Sequence, residues 1–158
     1  MSYDIHFLRR EPGQSWEDAM DALEEQAGKN HAPMRPAQWD QVVAGVREVL
    51  GDVSVIEGPP NWEIDDQKTA IQVTCFGGEW SMNVPYWWDG DRAEAIAECL
   101  RAIAGVVHDA TGLDAYDPQV GEAITSGEWM SGKAAAVFDQ VAESFDRRGI
   151  TRHRGDLP

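Results

Sequence analysis

Ile71-Gln72-Val73-Thr74-Cys75-Phe76-Gly77-Gly78-Glu79-Trp80-Ser81-Met82-Asn83-Val84-Pro85-Tyr86 is the stretch on which the fold turns. Ile71, Val73 and Cys75 alternate with polar neighbours, and Trp80, Met82, Val84 and Tyr86 do the same after the glycines. Each half therefore has the two-residue period of a strand with one buried face. Between them, Gly77-Gly78 within Phe76-Gly77-Gly78-Glu79 can take the positive φ angles that a tight hairpin requires. The pattern predicts hairpin-connected neighbours and argues against a doubly wound parallel sheet.

Upstream, Tyr3, Ile5 and Phe7 alternate through Ser2 to Arg9 and predict another strand. After the turn Glu11-Pro12-Gly13-Gln14, Ser15 stands three residues before Asp18 as an N-cap, and Trp16, Ala19, Met20, Leu23 and Ala27 form a helical stripe ending near Gly28. The opposite face of that helix carries Glu17, Asp18, Asp21, Glu24 and Glu25. Pro36 is expected at the first position of a second helix with Trp39, Val42, Val43, Val46, Val49 and Leu50 inward, stopped by Gly51. Val53 to Glu57 is a short β-branched run closed by Gly58-Pro59-Pro60-Asn61.

Downstream, Trp87-Trp88-Asp89-Gly90-Asp91 breaks the sheet, and Ala93, Ile96, Ala97, Leu100, Ile103, Ala104 and Val107 mark a long helix ended by Gly112. Leu113 to Asp117 is extended up to Pro118. Ala134, Val137, Phe138, Val141 and Phe145 then predict a C-terminal helix over 131–148, followed by a polar, basic tail over 149–158. The expected fold is α+β in the order β-α-α-β-β-β-α-β-α, with an antiparallel or mixed sheet of about four to five strands and helices mainly on one face. No repeat or linker divides the chain, so residues 1–158 are expected to form a single domain.

A chain of 158 residues buries about 70% of its unfolded surface and needs no covalent staples. Cys75 and Cys99 sit within apolar patterns and read as buried hydrophobes of a reducing compartment. There is no signal-like N-terminus and no run of 18 apolar residues, so the expected location is cytoplasmic. The formal charge is −15. Four arginines, at 147, 148, 152 and 154, fall in the last twelve positions, leaving residues 1–146 with nine Lys/Arg against 27 Asp/Glu, or −18. Such a field repels nucleic acid and membranes and steers basic partners inward.

Catalytic signatures are missing. Ser126 and Ser131 lie in glycine-containing loops without a G-x-S-x-G elbow. His6, His31, His108 and His153 have no helical zinc spacing. Asp89 and Asp91 lack the further ligands of a calcium loop, and Asp91 reads as a helix cap. Gly77-Gly78 is too short for a phosphate cradle and precedes no helix. No cofactor, metal or catalytic residue is therefore expected. Seven tryptophans stand out, at 16, 39, 62, 80, 87, 88 and 129. Trp87 and Trp88 must diverge if that segment is extended, and aromatic anchors among acids suit recognition of a basic protein as well as they suit a second small core.

Ser2-Tyr3-Asp4-Ile5-His6-Phe7-Leu8-Arg9, with Tyr116-Asp117-Pro118-Gln119 after the long helix, resembles a loose group of small bacterial proteins that begin S-Y-D-[LI]-x-[FL] and close their sheet with D-P-Q. Some of these resemble immunity proteins of polymorphic toxin systems. What the resemblance implies is an immunity-type inhibitor that occludes a toxin, with a basic protein as partner; it implies no catalytic residues. The candidate contact residues are Glu17, Asp21, Glu24, Glu25, Trp62, Asp65, Asp66, Trp87, Trp88, Asp89 and Asp91. Two other readings remain at this point. One is a ligand-binding domain or hydrolase with a cleft built from Asp65, Asp66, Asp89, Asp91 or Asp117. The other is a homo-oligomeric structural protein.

Overall fold

In a computed structural model that describes residues 2–26, 35–124, 137, 138 and 140, Gly77 and Gly78 adopt φ of 57° and 88° and turn Phe76 back onto Glu79. This hairpin, β4 (Gln72–Phe76) and β5 (Glu79–Pro85), lies near the middle of an antiparallel sheet. The other elements are β1 (Ser2–Leu8), α1 (Trp16–Gln26), α2 (Trp39–Leu50), β2 (Ser54–Gly58), β3 (Asn61–Asp65), α3 (Gly90–Thr111), β6 (Asp114–Asp117) and β7 (Glu122–Ala123). The sheet order is β2-β3-β4-β5-β1-β6-β7.

The α+β class is as expected, but the sheet has seven strands rather than about four to five. Two strands were illegible. Trp62 and Ile64 are the only inward residues of β3, too few for a periodic signal, and Pro59-Pro60, which reads as a terminator, is the two-residue tip of a β2–β3 hairpin with Gly58 opposite Asn61. β7 is only two residues long. The predicted strand through Tyr86 ends at Pro85, and α2 starts at Trp39, with Pro36 in the preceding turn accepting from the Trp39 N–H.

β5 and β6 both run antiparallel to β1 on its two sides, so they are parallel to each other and need a long crossover. The 22-residue α3, about 33 Å long at 1.5 Å per residue, supplies it. With α2 it covers the inner sheet face. Trp39, Val42, Val46, Ile96, Leu100, Ile103 and Val107 meet Tyr3, Ile5, Phe7, Trp62, Ile64, Val73, Cys75, Trp80, Met82 and Val84 in one buried cluster. Trp39 lies 5.8 Å from Trp80, ring to ring. Gly45 lets α2 approach α3, since a Cβ there would overlap Val106 Cγ1.

Ser15 caps α1 as expected, its Oγ accepting from Asp18 N–H at 3.1 Å. α1, however, does not join the other helices. Ala19, with Trp16, Met20 and Leu23, packs on Leu8 and Tyr116, which alternate with the inward Phe7 and Ala115 and so face the opposite side. Helices thus occupy both faces, α2 and α3 on one and α1 on the other. The amphipathic stripe of a helix states how much it buries and not which side of a sheet receives it. Of the expected C-terminal helix, Val137, Phe138 and Gln140 are helical, and the rest of 131–148 and the tail 149–158 lie outside the described residues. Phe138 is buried, stacked 4.9 Å from Tyr3.

Candidate functional site

The register assigns every strand residue to one face. Rows across the outer face run Ser54–Asp65–Gln72–Asn83–Asp4 and Ile56–Glu63–Thr74–Ser81–His6–Tyr116, with Asn61, Phe76 and Glu79 beyond. None of the seven strands contains a Lys or Arg, and neither does α1. Because α1 lies over Leu8 and Tyr116, its exposed Glu17, Asp21, Glu24 and Glu25 are on the same side of the molecule as Asp4, Glu63, Asp65 and Glu79. The opposite side, formed by α2 and α3, carries both signs: Arg47, Arg92 and Arg101 are interspersed there with Asp40, Glu48, Asp91, Glu94, Glu98 and Asp109. The side that holds α1 is therefore the more densely acidic one, with Arg10 stacked 4.2 Å over the Trp16 ring and Arg9 beside α1 as cations at its margin.

The outer face is locally ordered. Asn83 Nδ2 donates to Gln72 Oε1 (3.3 Å) and Gln72 Nε2 donates to Asp65 Oδ1 (2.9 Å), a polar ladder over three strands. Glu63 and Asp65, two apart on β3, share this face. Burial first, and then the Asp65 carboxylate through a hydrogen bond and its charge, push the Glu63 carboxyl above its usual value. Among the described residues no cation lies within ion-pair distance of either. Ile56 and Phe76, 48% and 47% exposed, add apolar surface to the same face.

Three residues expected on a contact surface are elsewhere. Trp62 and Trp88 are 2% and 1% exposed and belong to the core. Trp62 opposes Cys75 on the inner face, and Trp88 donates from Nε1 to the Thr69 carbonyl at 3.2 Å. Asp66, 3% exposed, closes the turn before β4, where its Oδ2 accepts from Thr69 N–H (3.1 Å) and Oγ1 (2.5 Å). Tryptophan area and an unpaired carboxylate raise the same expectation of a surface, but burial is decided by partners distant in sequence. Trp87 is half-buried against the core. Asp89, rather than Asp91, takes the N-cap position of α3, while Asp91 is exposed in the first turn; Gly90, the turn residue between them, opens the helix.

Asp65 and Asp66 line a concavity of about 290 Å³ with Asp52, Val53, Ser54, Gln67 and Lys68. Asp66 Oδ1 is buried without a hydrogen-bond partner among the described residues. Asp117, by contrast, is fully buried on β6 beneath β1, accepting from Tyr3 Oη. Its Oδ1 accepts from Gln119 N–H at 3.0 Å and, with the Gln119 amide assigned nitrogen-inward, from that side chain at 2.8 Å; the same amide donates to the Asp4 carbonyl at 2.9 Å. The S-Y-D and D-P-Q segments are thus joined by one hydrogen-bonded network. Of the five aspartates suggested for a cleft, Asp65 and Asp66 share a concavity, whereas Asp91 is exposed on α3 and Asp117 is buried. Burial pushes the Cys75 thiol up to about 11, so it stays protonated near neutrality.

Glu63, Glu79, Asp4 and Ile56 are not among the contact residues expected from the sequence, although the polar phase of each strand is a usable signal once the register is known. Among the described residues no group of three or more His, Cys, Asp or Glu is placed to hold a metal ion, and no helix is long and apolar enough to cross a membrane. Comparison with protein-family models, with curated proteins and with solved structures finds no match to this chain, so the acidic face has to be interpreted from its own residues.

Proposed function

We propose that the protein is an acidic, cytoplasmic protein-binding module that docks a basic protein on the side formed by α1 and the outer sheet face, acting as an immunity-type inhibitor of a bacterial toxin. The observation that carries this reading is the unequal distribution of cations between the elements. The seven strands and α1 together hold 13 acids without one Lys or Arg, whereas α2 and α3 set three arginines among six acids. Solubility alone needs net charge but not the exclusion of cations from one set of elements. Electrostatic complementarity, in contrast, favours a surface dominated by one sign, and its main effect is on the association rate.

The resemblance of the S-Y-D and D-P-Q segments to immunity-like proteins supplies the toxin as the class of partner. Occlusion of a basic active-site face requires area and charge from the inhibitor and no chemistry. The test is association with the product of the adjacent gene. Its rate should fall at least about tenfold between about 50 and 500 mM salt, and again when Glu17, Asp21, Glu24 and Glu25 are all replaced by Lys. Binding that ignores both salt and the charge reversal would overturn the reading.

A further inference from the structure

Among the described residues, the sheet ends in an edge that lacks the usual protection. β2 is five residues long and pairs with β3 in continuous register from Ser54–Asp65 to Gly58–Asn61. It has no bulge, no internal proline and no lysine, and no described strand pairs with its other side. Ser54, Ile56, Glu57 and Gly58 are exposed. Proteins ordinarily blunt such an edge because its free N–H and C=O groups template pairing with another chain. At the other end of the sheet, β7 is too short to act in this way.

We infer that the β2 edge is a strand-addition site for an extended segment of the basic partner, in which apolar and basic residues alternate. This rests on the reading above and adds the mode of recognition. The side-chain pattern of β2 dictates the pattern of its guest. On the inner side, Val55 is half-buried at the rim of the core, and an apolar residue beside it extends that core. On the outer side a basic residue beside Ile56 lays its methylenes over the exposed side chain and reaches Glu63 on the next strand. A second, beside the small Ser54, reaches Asp65 about two strand spacings away, roughly 10 Å, at the concavity shared with Asp52 and Asp66. Arg35 already binds Glu57 at 2.7 Å and Asp40 at 2.7 Å, so Glu63 and Asp65 of β3, with Asp52 at the concavity, are carboxylates open to the guest; Lys68, which also lines the concavity, sets how closely a second cation approaches. A second copy fits less well, because it brings the same acids to the edge.

The test uses the full chain and the peptide acetyl-Lys-Val-Arg-Val-Lys-Val-Arg-amide, followed by amide NMR and hydrogen exchange. Shifts and slowed exchange should centre on Ser54–Gly58. The same peptide N-methylated at alternate residues, which removes its backbone donors on one edge, should bind at least about tenfold more weakly, the scale of one or two hydrogen bonds. Ile56→Lys should weaken binding about tenfold and Asp65→Asn up to about fivefold, the scale of one exposed ion pair. The N-methylated peptide keeps the result interpretable should a variant fail to fold. Equal binding by the N-methylated peptide, or shifts confined to α1 and the strands beyond β3, overturns the edge while leaving the acidic face intact. Absence of peptide binding at low salt also overturns the edge, and the adjacent-gene assay then decides the wider reading alone. A dimer of the free chain that Ile56→Lys dissolves would assign the edge to a second copy and refute the inference.

Discussion

Replacing Tyr3 by Phe removes a single oxygen from the interior and tests whether the network joining β1 to β6 holds the sheet together. Tyr3 and Asp117 are both fully buried, and Tyr3 Oη donates to Asp117 Oδ2 while Gln119 serves Oδ1. The Phe ring keeps the stacking on Phe138 and the contact with Tyr86, so packing is nearly unchanged. The loss is one donor to a buried carboxyl oxygen, about 1–3 kcal/mol. For a chain of this length each kcal/mol moves Tm by about 2–4 °C, so a loss near the middle of that range lowers it by about 4–8 °C. Urea and thermal unfolding of Tyr3→Phe, Asp117→Asn and the double variant form a cycle in which the two groups should couple by about 1 kcal/mol or more. A single-variant loss under about 0.5 kcal/mol, or simple additivity, would refute the claim that these two residues act as one unit.

Gly45→Ala should destabilise by about 1–3 kcal/mol because its methyl group meets Val106, and Val106→Ala should recover part of that loss, both read by urea unfolding. Trp88→Ala should cost about 3–5 kcal/mol, as expected for a large buried side chain and not for a surface anchor; a stable variant impaired only in binding would contradict its place in the core. Glu63→Gln should stabilise the protein at neutral pH and have little effect in acid. A carboxyl whose folded pKa is raised binds more protons folded than unfolded, so its contribution is fully present below the ordinary value and is lost as pH rises through the raised one. Equal effects of Glu63→Gln at about pH 4 and pH 7 in paired unfolding curves would contradict this sign.

What was legible in the sequence was what depends on near neighbours along the chain. Paired glycines set the 76–79 turn, two-residue alternation set β1, β4 and β5, and three-and-four spacing with Gly51 and Gly112 as stops set α2 and α3. The acidity and the acids of α1 were equally plain. Tertiary structure alone decided which surface those acids share. α1 lies over Leu8 and Tyr116 because β1 is inserted between β5 and β6, a placement fixed by the crossover through α3 and invisible in local periodicity. It also decided that Trp62, Trp88 and Asp66 are interior. Whether a tryptophan or a carboxylate meets water depends on what the distant chain brings against it, and here Trp62 faces Cys75 and Trp88 reaches Thr69.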